Sequence, residues 1–451
     1  MGTTEGERAS AARTMLTAKI DSARVITAEP ELAAAAAVWS GAVRAHPALV
    51  VRCTGTDEVQ HAVRTARECG LPLSVRAGGH DWTGRAIRAG ALVIDLRPMC
   101  AVSVRAGVAT VAGGASAEHV AAAADREGLA AATGTVGAVG MAGLTLAGGY
   151  GPLCGRLGLA ADNLLAADVV LADGQVVRAS PADDADLYWA LRGGGGNFGV
   201  VTSMDVELHP MPEVLVGSFR FALEEAETVM AGYAELVRAA PDDLTVMLAV
   251  VPGPGGTPVI GVSPTWSGAL PDGEAALAQV ATLGPVLAST VQAMSPLARL
   301  RQLDGAFPNG PHYMIRTRHL AALTPPSTTA LLDAYSRRQK PTSFLNFHHF
   351  HGRATQPAEQ DTAFGRREDH LMVEMIERGD ALSDWPTSTS RALAPHALPG
   401  GYPNFLGPDD QEQAATAYGS NAGRLLEIKR RVDPDGVFRA TPLPAADTLP
   451  G

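Results

Sequence analysis

Hydrophobic and polar positions in the first half of the chain follow short periodic units that glycine-rich turns separate. Apolar residues at helical spacing predict helices at 57–68, 115–128 and 186–191. Alternation with period two predicts strands at 91–95, 102–105, 109–112 and 200–207, and a hairpin that pairs 167–172 with 175–178. These units end near residue 210, where His209 and Pro210 close the segment.

From about residue 212 onward, the glycine content falls and longer alternating runs appear. Runs at 214–221, 244–251, 259–266, 343–350 and 370–376 predict strands of one antiparallel sheet. Helical periodicity between these runs predicts helices at 223–239, 274–282 and 326–337. A third segment begins near residue 400 and contains a predicted helix at 412–431.

Residues 134–158 combine closely spaced glycines with apolar side chains and few charges. A flexible linker would be richer in serine and other polar residues, so this composition predicts a buried loop wrapped around a ligand. The glycines do not follow the strand, GxGxxG and helix order of a Rossmann dinucleotide site.

The stretch VRAGGHDWTG at 75–84 follows an apolar, strand-like run. Gly78 and Gly79 permit close backbone approach to a ligand, and successive N–H groups in such a turn bind anions. Arg76 adds a guanidinium suited to phosphate, and His80 adds a nucleophilic imidazole. These residues predict a cofactor that is gripped through phosphate and bonded covalently. The alternative is a glycine-rich turn with a surface histidine.

Composition excludes several classes of partner. The chain has 451 residues, 46% of them hydrophobic, and a formal net charge of −11, so a nucleic-acid partner is not expected. The N-terminus has no signal-peptide core and no run is apolar enough to span a bilayer, so no membrane partner is expected. The cysteines at 53, 69, 100 and 154 have no metal-binding spacing, which predicts reduced thiols, a cytoplasmic location and no metal.

Seven stretches, taken in order, resemble the berberine-bridge-enzyme-like FAD-linked oxidases of the vanillyl-alcohol-oxidase or PCMH-type FAD-binding fold. The stretches are RAGGH at 76–80, GxxGLTLAGGYG at 140–151, GLAADNL at 158–164, VVLADGQVV at 169–177, DLYWALRGGGGNFGVVT at 186–202, YPN at 402–404 and YGSNAGRLLEIKRRVDPDGVF at 418–438.

The resemblance implies an α+β fold in two parts. An FAD-binding domain would comprise residues 1–210 and 400–451, and a substrate-binding domain of antiparallel sheet plus helices would comprise 211–399. The composition shifts near 210 and 400 agree with this division. The residues then expected to bind FAD are Arg76, Ala77, Gly78, Gly79, His80, Asp81, Gly84, Gly134, Thr135, Gly137, Gly140, Gly143, Gly149, Val201, Tyr402 and Asn404.

The resemblance also implies how FAD is attached. His80 stands where family members bond the 8α-methyl group of the flavin, so covalent, 8α-histidyl FAD is expected at His80. Many members carry a second link from a cysteine, but that position is Val136 here, and Cys154 lies too far along the chain. A singly linked bacterial member is therefore expected.

Catalysis in this family moves a hydride from a substrate C–H to flavin N5 while a base removes a proton. Glu374 is the first candidate base, because alternation puts Met372, Glu374 and Ile376 on one face, where burial would raise the pKa of the carboxyl. Its alternative is a surface glutamate on an edge strand. Tyr402 is the second candidate and its alternative is a packing tyrosine. Asn404 would hydrogen-bond near the flavin ring or orient its loop.

The FHHFHG run contains three histidines. Alternation puts His349 and His351 on one face of a strand and His348 on the other, and no carboxylate or cysteine at ligand spacing accompanies them. The imidazoles are expected either to shape the substrate pocket or to face solvent.

The leading functional prediction is an FAD-dependent oxidase that acts on a small natural product, with O2 as acceptor. The oxidised group could be an alcohol, a hemiacetal, an amine or a carbon beside a phenol, and a tailoring step in bacterial specialised metabolism is expected. One alternative is a dehydrogenase with another acceptor. Another is a flavin-binding scaffold or cyclase without net redox chemistry.

Overall fold

The computed structural model describes residues 4–445 and has an α+β fold with three β-sheets. The first sheet contains β1 (Val25–Ile26), β2 (Leu49–Arg52), β3 (Leu73–Arg76) and β4 (Leu92–Asp95) in the order β1-β2-β4-β3. Helices α1 (Glu5–Thr17), α2 (Glu31–Ala36) and α3 (Thr56–Glu68) accompany it. Strands β2, β4 and β3 run parallel, and β3 ends at Arg76. The glycines and His80 therefore leave the sheet at its carboxyl edge, where open α/β sheets bind ligands.

The second sheet is antiparallel and packs beside the first. Its strands are β5 (Val102–Arg105), β6 (Val108–Ala112), β7 (Leu129–Ala131), β8 (Leu164–Val170), β9 (Val176–Ala179) and β10 (Val200–Pro210), with β10 between β6 and β8. Helices α4 (Ala117–Asp125), α5 (Met141–Thr145), α6 (Cys154–Leu157) and α7 (Ala185–Leu191) lie along this part of the chain. The glycine-rich stretch at 134–158 is mostly buried and contains the two short helices α5 and α6.

The third sheet has seven antiparallel strands. They are β11 (Val214–Ala222), β12 (Leu244–Pro252), β13 (Pro258–Trp266), β14 (Val286–Met294), β15 (His312–Leu320), β16 (Ser343–Phe350) and β17 (His370–Gly379), in the order β14-β11-β13-β12-β16-β17-β15. Helices α8 (Ala226–Arg238), α9 (Leu270–Val280), α10 (Pro296–Arg301), α11 (Pro325–Ser336) and α12 (Trp385–Leu393) lie between or after these strands.

Side-chain alternation divides the third sheet into two faces. On β17, Leu371, Val373 and Met375 join the large apolar core under the helices. Glu374 and Ile376, which point the other way, line a cavity. One face thus stabilises the fold by burying apolar side chains, and the other is free to carry polar chemistry.

The predicted antiparallel sheet is confirmed, and it contains two further strands that the sequence pattern does not predict. Strand β14 is an exposed edge strand with no alternating burial, so period two gives no signal there. Strand β15 carries His312, Arg316 and Arg318 within HYMIRTRHL, and these polar residues hide its strand character. No helix in residues 4–445 is both long and apolar enough to cross a membrane.

The predicted helix at 412–431 is wrong in its length. The structure has two helices instead, α13 (Gln411–Thr416) and α14 (Ala422–Val432). Gly419 between them has φ of +51°, a left-handed conformation that ends α-helical hydrogen bonding. Helix α14 then packs Leu425 and Ile428 into the core of the second sheet.

A buried ion pair joins the segment before β8 to the segment after β16. Arg367 donates to both carboxylate oxygens of Asp162, at 2.8 and 3.0 Å, and both side chains are about 5% exposed. The remaining donors of Arg367 bond Thr362 and two backbone carbonyls. Since removal of one partner leaves an uncompensated buried charge, this pair is costly to break.

Asp162→Asn should therefore lower the free energy of unfolding by about 3 kcal/mol in urea denaturation. The control is Glu235→Gln, which breaks the exposed Arg238–Glu235 pair and should cost about 0.5 kcal/mol or less. Equal costs for the two variants would contradict the structural role of Arg367.

Candidate active site

A cavity of about 740 Å³ lies between the glycine-rich loops and the open face of the third sheet. This volume is within the range of small-molecule and cofactor sites. One wall consists of the cradle, which we define as residues 77–82, together with the loop at 134–149. The opposite wall consists of side chains from strands β11, β12, β13, β16 and β17.

The two glycine-rich loops touch through their backbones. A Cβ on Gly78 would lie 2.4 Å from the backbone nitrogen of Gly140, and a Cβ on Gly140 would lie 2.4 Å from the nitrogen of Gly78. Real Cβ atoms do not come this close to other atoms, so the two loops can approach only with glycine at both positions. By contrast, a Cβ on Gly143 would meet nothing within 4 Å, and Gly143 lines the cavity.

Hydrogen bonds tie the cradle to the 402–406 loop from the other end of the chain. Arg85 donates to the backbone oxygen of Asn404 at 3.0 Å and to the Asp81 carboxylate at 3.0 Å. The indole N–H of Trp82 donates to the oxygen of Phe405 at 3.1 Å. Residues 319 positions apart in sequence thus meet in one wall, and Asp81 acts by orienting Arg85.

His80, within the cradle, is held in a largely apolar environment. Its ring stacks on Trp39 with a centroid distance of 4.1 Å, and Trp39 stacks on Tyr313. Within residues 4–445, His80 Nε2 is buried without a hydrogen-bond partner. Burial lowers the pKa of His80 to about 4. The imidazole is therefore neutral at neutral pH, the state in which a ring nitrogen is nucleophilic.

Glu374 is the centre of a buried polar network on the sheet wall. The Tyr150 hydroxyl donates to Oε1, and Asn346 Nδ2 donates to Oε2 at 3.1 Å. His348 Nε2 lies 3.2 Å from Oε2. All four side chains line the cavity, and Glu374 itself is 3% exposed. Because β17 lies between β16 and β15, the edge-strand alternative for Glu374 does not apply.

The expectation of a raised pKa for Glu374 is wrong. Burial by itself would raise it, but the charge of His348 and the hydrogen bonds from Tyr150 and Asn346 outweigh burial, so the pKa lies below the ordinary value. A carboxylate that remains ionised in a desolvated cavity is able to accept a proton.

Tyr402 is placed differently. Its hydroxyl accepts a hydrogen bond from Gly149 N–H at 2.8 Å, and its ring meets that of Tyr150 edge-on at 5.3 Å. Burial raises the pKa of Tyr402 well above the ordinary tyrosine value, which opposes its use as a base at neutral pH. Asn404 donates to the oxygen of Gly143 at 3.3 Å, a contact that orients the loop.

Most of the residues expected to bind FAD lie on the cavity wall. Those that line it are Ala77, Gly78, Gly79, His80, Asp81, Gly134, Thr135, Gly140, Gly143, Gly149, Val201, Tyr402 and Asn404, together with the candidate base Glu374.

Arg76, Gly84 and Gly137 lie outside that lining. The guanidinium of Arg76 is buried and donates to the backbone oxygen of Ala35 at 2.6 Å. It therefore supports the cradle on the side away from the cavity. A Cβ on Gly84 would lie 2.4 Å from Val43, and the N–H of Gly137 donates to Asp304 at 2.8 Å. These positions support loop packing rather than direct contact with a ligand.

The three histidines of the FHHFHG run separate as alternation predicts. His348 faces the cavity, whereas His349 and His351 stack on each other at 4.1 Å outside it. His349 Nε2 lies 3.0 Å from Asp369. Within residues 4–445 no group of three or more His, Cys, Asp or Glu side chains is arranged to hold a metal ion.

Sequence reasoning did not single out Tyr150 or Asn346. Tyr150 stands within the GGYG stretch, where a tyrosine between cavity-lining glycines is a signal that could have been used. Asn346 pairs with Glu374 across β16 and β17, and this register is visible only in the folded sheet.

Comparison with known proteins agrees with this geometry. The FAD binding domain family matches residues 47–180, and the family described as berberine and berberine like matches residues 401–442. The chain thus carries an FAD binding domain and a berberine-like domain, and the similar proteins found for it are named FAD-linked oxidoreductases and oxidases. The two matched regions contain the cradle and the 402–406 loop, which meet at the cavity.

The similarity to several known proteins extends over most of the chain. The FAD-linked oxidoreductase aurO of Gibberella zeae is 29% identical over 95% of this chain and 87% of that protein. The structure of 6-hydroxy-D-nicotine oxidase from Arthrobacter nicotinovorans has a TM-score of 0.84 at 27% identity, covering 92% and 96% of the two chains. Glucooligosaccharide oxidase of Acremonium strictum, whose FAD is 6-S-cysteinyl and 8α-N1-histidyl, shares the fold, with a TM-score of 0.85 at 21% identity over 97% and 100%.

The buried His370, at the start of β17, predicts that stability depends on pH. Burial lowers the pKa of His370 to about 3, whereas an unfolded histidine titrates near 6.5. Between these values the unfolded chain binds a proton that the folded chain excludes, so stability falls as the pH falls. His370→Asn should reduce the number of protons taken up on unfolding by about one, so that stability depends less steeply on pH. The measurement is the urea midpoint at several values between about pH 7 and about pH 5. Exposed His396→Asn is the control, and an unchanged slope in His370→Asn would contradict the argument.

Proposed function

We propose that this protein is an FAD-dependent oxidase that removes a hydride from a C–H bond of a small natural product, with O2 as the electron acceptor. The observation that carries the proposal is the arrangement of the ionised Glu374 network opposite a cradle that contains a neutral His80. Two of the similar proteins are named oxidases, which supports O2 as acceptor.

The cradle fits FAD by its chemistry. Gly143 leaves room for a ligand against backbone, and His80 offers an unpartnered neutral imidazole as the 8α-histidyl attachment. Val136 stands at the position of a second, cysteinyl link and has no nucleophilic atom, so we propose a single link. The chemistry supplied by bound FAD is acceptance of the hydride, followed by transfer of the electron pair to O2.

Glu374 is the proposed base. A substrate O–H or N–H proton would move to a carboxylate oxygen of Glu374 as the hydride leaves the adjacent carbon, so that charge does not build up on the substrate. Tyr150, already hydrogen-bonded to Oε1, can pass that proton from a substrate it contacts. His348 and Asn346 hold Oε2 in place and keep the carboxylate ionised until the proton arrives.

The sheet wall favours a substrate with an apolar skeleton. Val251, Val259, Ile315, Phe344 and Ile376 line the cavity around the polar network. Such side chains bind aromatic or aliphatic carbon better than the hydroxyl-rich faces of a sugar. We therefore propose an aromatic or aliphatic natural product rather than an oligosaccharide.

Acid precipitation tests the attachment. The purified protein should carry its yellow flavin into the pellet, and His80→Ala should release it to the supernatant, because only the imidazole bonds the 8α carbon. The matched control is His46→Ala, at an exposed histidine away from the cavity, which should leave the flavin in the pellet. Flavin in the wild-type supernatant would reject the covalent link, and a wild-type protein without flavin would reject the function.

Stopped-flow flavin reduction tests the base. With a substrate found by screening alcohols, amines and phenols for peroxide release, Glu374→Gln should slow reduction at least about 100-fold, since the amide cannot accept the proton. Tyr402→Phe should have a smaller effect. Glu377→Gln is a matched control on the same strand but outside the cavity. Unchanged reduction in Glu374→Gln would remove Glu374 from the mechanism.

A further inference from the structure

Arg299, on helix α10, is a buried cation on the cavity wall. The residue is 3% exposed, and its partners are neutral. Nε donates to Thr265 at 3.0 Å, and the two Nη atoms donate to Gln302 at 3.0 Å and Ser263 at 3.2 Å. Nη2 also lies 3.9 Å from the sulfur of Met247, a weak acceptor. A guanidinium has five N–H donors, so this shell does not use all of its capacity.

Within residues 4–445 no carboxylate lies at ion-pair distance from Arg299. Other arginines of similar burial do have such a partner: Arg367 pairs with Asp162 at 2.8 Å, and Arg316 pairs with Asp410 at 3.5 Å. A buried charge without a counter-charge costs several kcal/mol. Burial lowers the pKa of Arg299 to about 10, which still leaves it cationic at neutral pH.

The charges near Arg299 do not compensate it. Arg220 and Arg378 also line the cavity, and neither pairs with a carboxylate of the described residues. The carboxylates on the cavity wall, Glu374 and Asp81, are already engaged with His348 and Arg85. The sheet wall of the cavity therefore has an excess of positive charge.

Arg299 and the proposed base lie at different ends of this wall. Ser263, which accepts from Arg299, is on β13, and Glu374 is on β17, three strands away in the sheet. At a spacing of about 4.8 Å per strand, the strands themselves are about 14 Å apart. A group bound by Arg299 is thus held away from the reacting carbon and positions the molecule without taking part in the chemistry.

We propose that the substrate carries a carboxylate that binds Arg299 while its remote end is oxidised near Glu374. A carboxylate accepts from a guanidinium donor that this shell leaves unused, and it supplies the missing counter-charge. Together with the apolar wall, this defines the substrate class as an apolar molecule with one acidic end. The inference rests on the proposed function, because it takes the cavity as the substrate site.

The test compares ligands that differ only in charge. Benzoate and its neutral isostere benzamide are titrated into the FAD-loaded protein, with calorimetry and flavin absorbance as readouts. Benzoate should bind at least about 10-fold more tightly than benzamide, the range of a charge-assisted hydrogen bond. Arg299→Gln should remove this preference and leave benzamide binding unchanged, whereas Arg299→Lys should retain part of it. Exposed Arg238→Gln is the matched control.

Equal binding of benzoate and benzamide to the wild-type protein would overturn the proposal without any variant. Tighter binding of phenyl phosphate than benzoate would overturn the choice of a carboxylate. If Arg299 instead holds a phosphate of the cofactor, Arg299→Gln would lower the FAD content and leave the preference for benzoate intact, which also overturns it. A protein that holds no FAD rejects the proposed function, whereas the calorimetric comparison still tests Arg299.

Discussion

The backbone contact between Gly78 and Gly140 is the constraint on which the site depends. Any side chain at either position would collide with the facing loop at 2.4 Å. The contact brings the cradle, which follows β3 of the first sheet, against the loop that connects β7 and β8 of the second sheet. His80 and the cavity wall at 134–149 become neighbours only because these two loops meet without side chains between them. Arg85 then adds the 402–406 loop to the same wall.

The two buried charges on the cavity wall, Glu374 and Arg299, differ in how far the protein stabilises them. Tyr150 donates to one carboxylate oxygen of Glu374 and Asn346 donates to the other, and the carboxylate stays ionised despite burial. Arg299 has only neutral partners, and within residues 4–445 its charge has no counter-charge. A charge satisfied from within suits proton transfer, since its state is set before a ligand enters. A charge left uncompensated suits recognition, since its desolvation cost is recovered when an anion binds.

The third sheet separates stability from chemistry by alternation alone. Val373 and Met375 stabilise the fold in the helix-covered core, while their neighbour Glu374 points into the cavity. A shift of one residue in the register of β17 would exchange these faces. The chemistry of the site therefore depends on the same pairing between β16 and β17 that stabilises the sheet.

The sequence by itself determined the cradle at 77–82, the antiparallel sheet and the face of β17 that carries Glu374, because these follow from glycine spacing and local periodicity. The α+β class came from the resemblance of its motifs to a known family. The sequence did not determine the pKa of Glu374, which depends on Tyr150, Asn346 and His348, brought together from separate segments. The sequence also could not show that Arg76 bonds to Ala35 behind the cradle, or that Arg299 is buried with no counter-charge in the described part of the chain. Burial, register and the distance between charges are properties of the packed chain, and only the tertiary structure decides them.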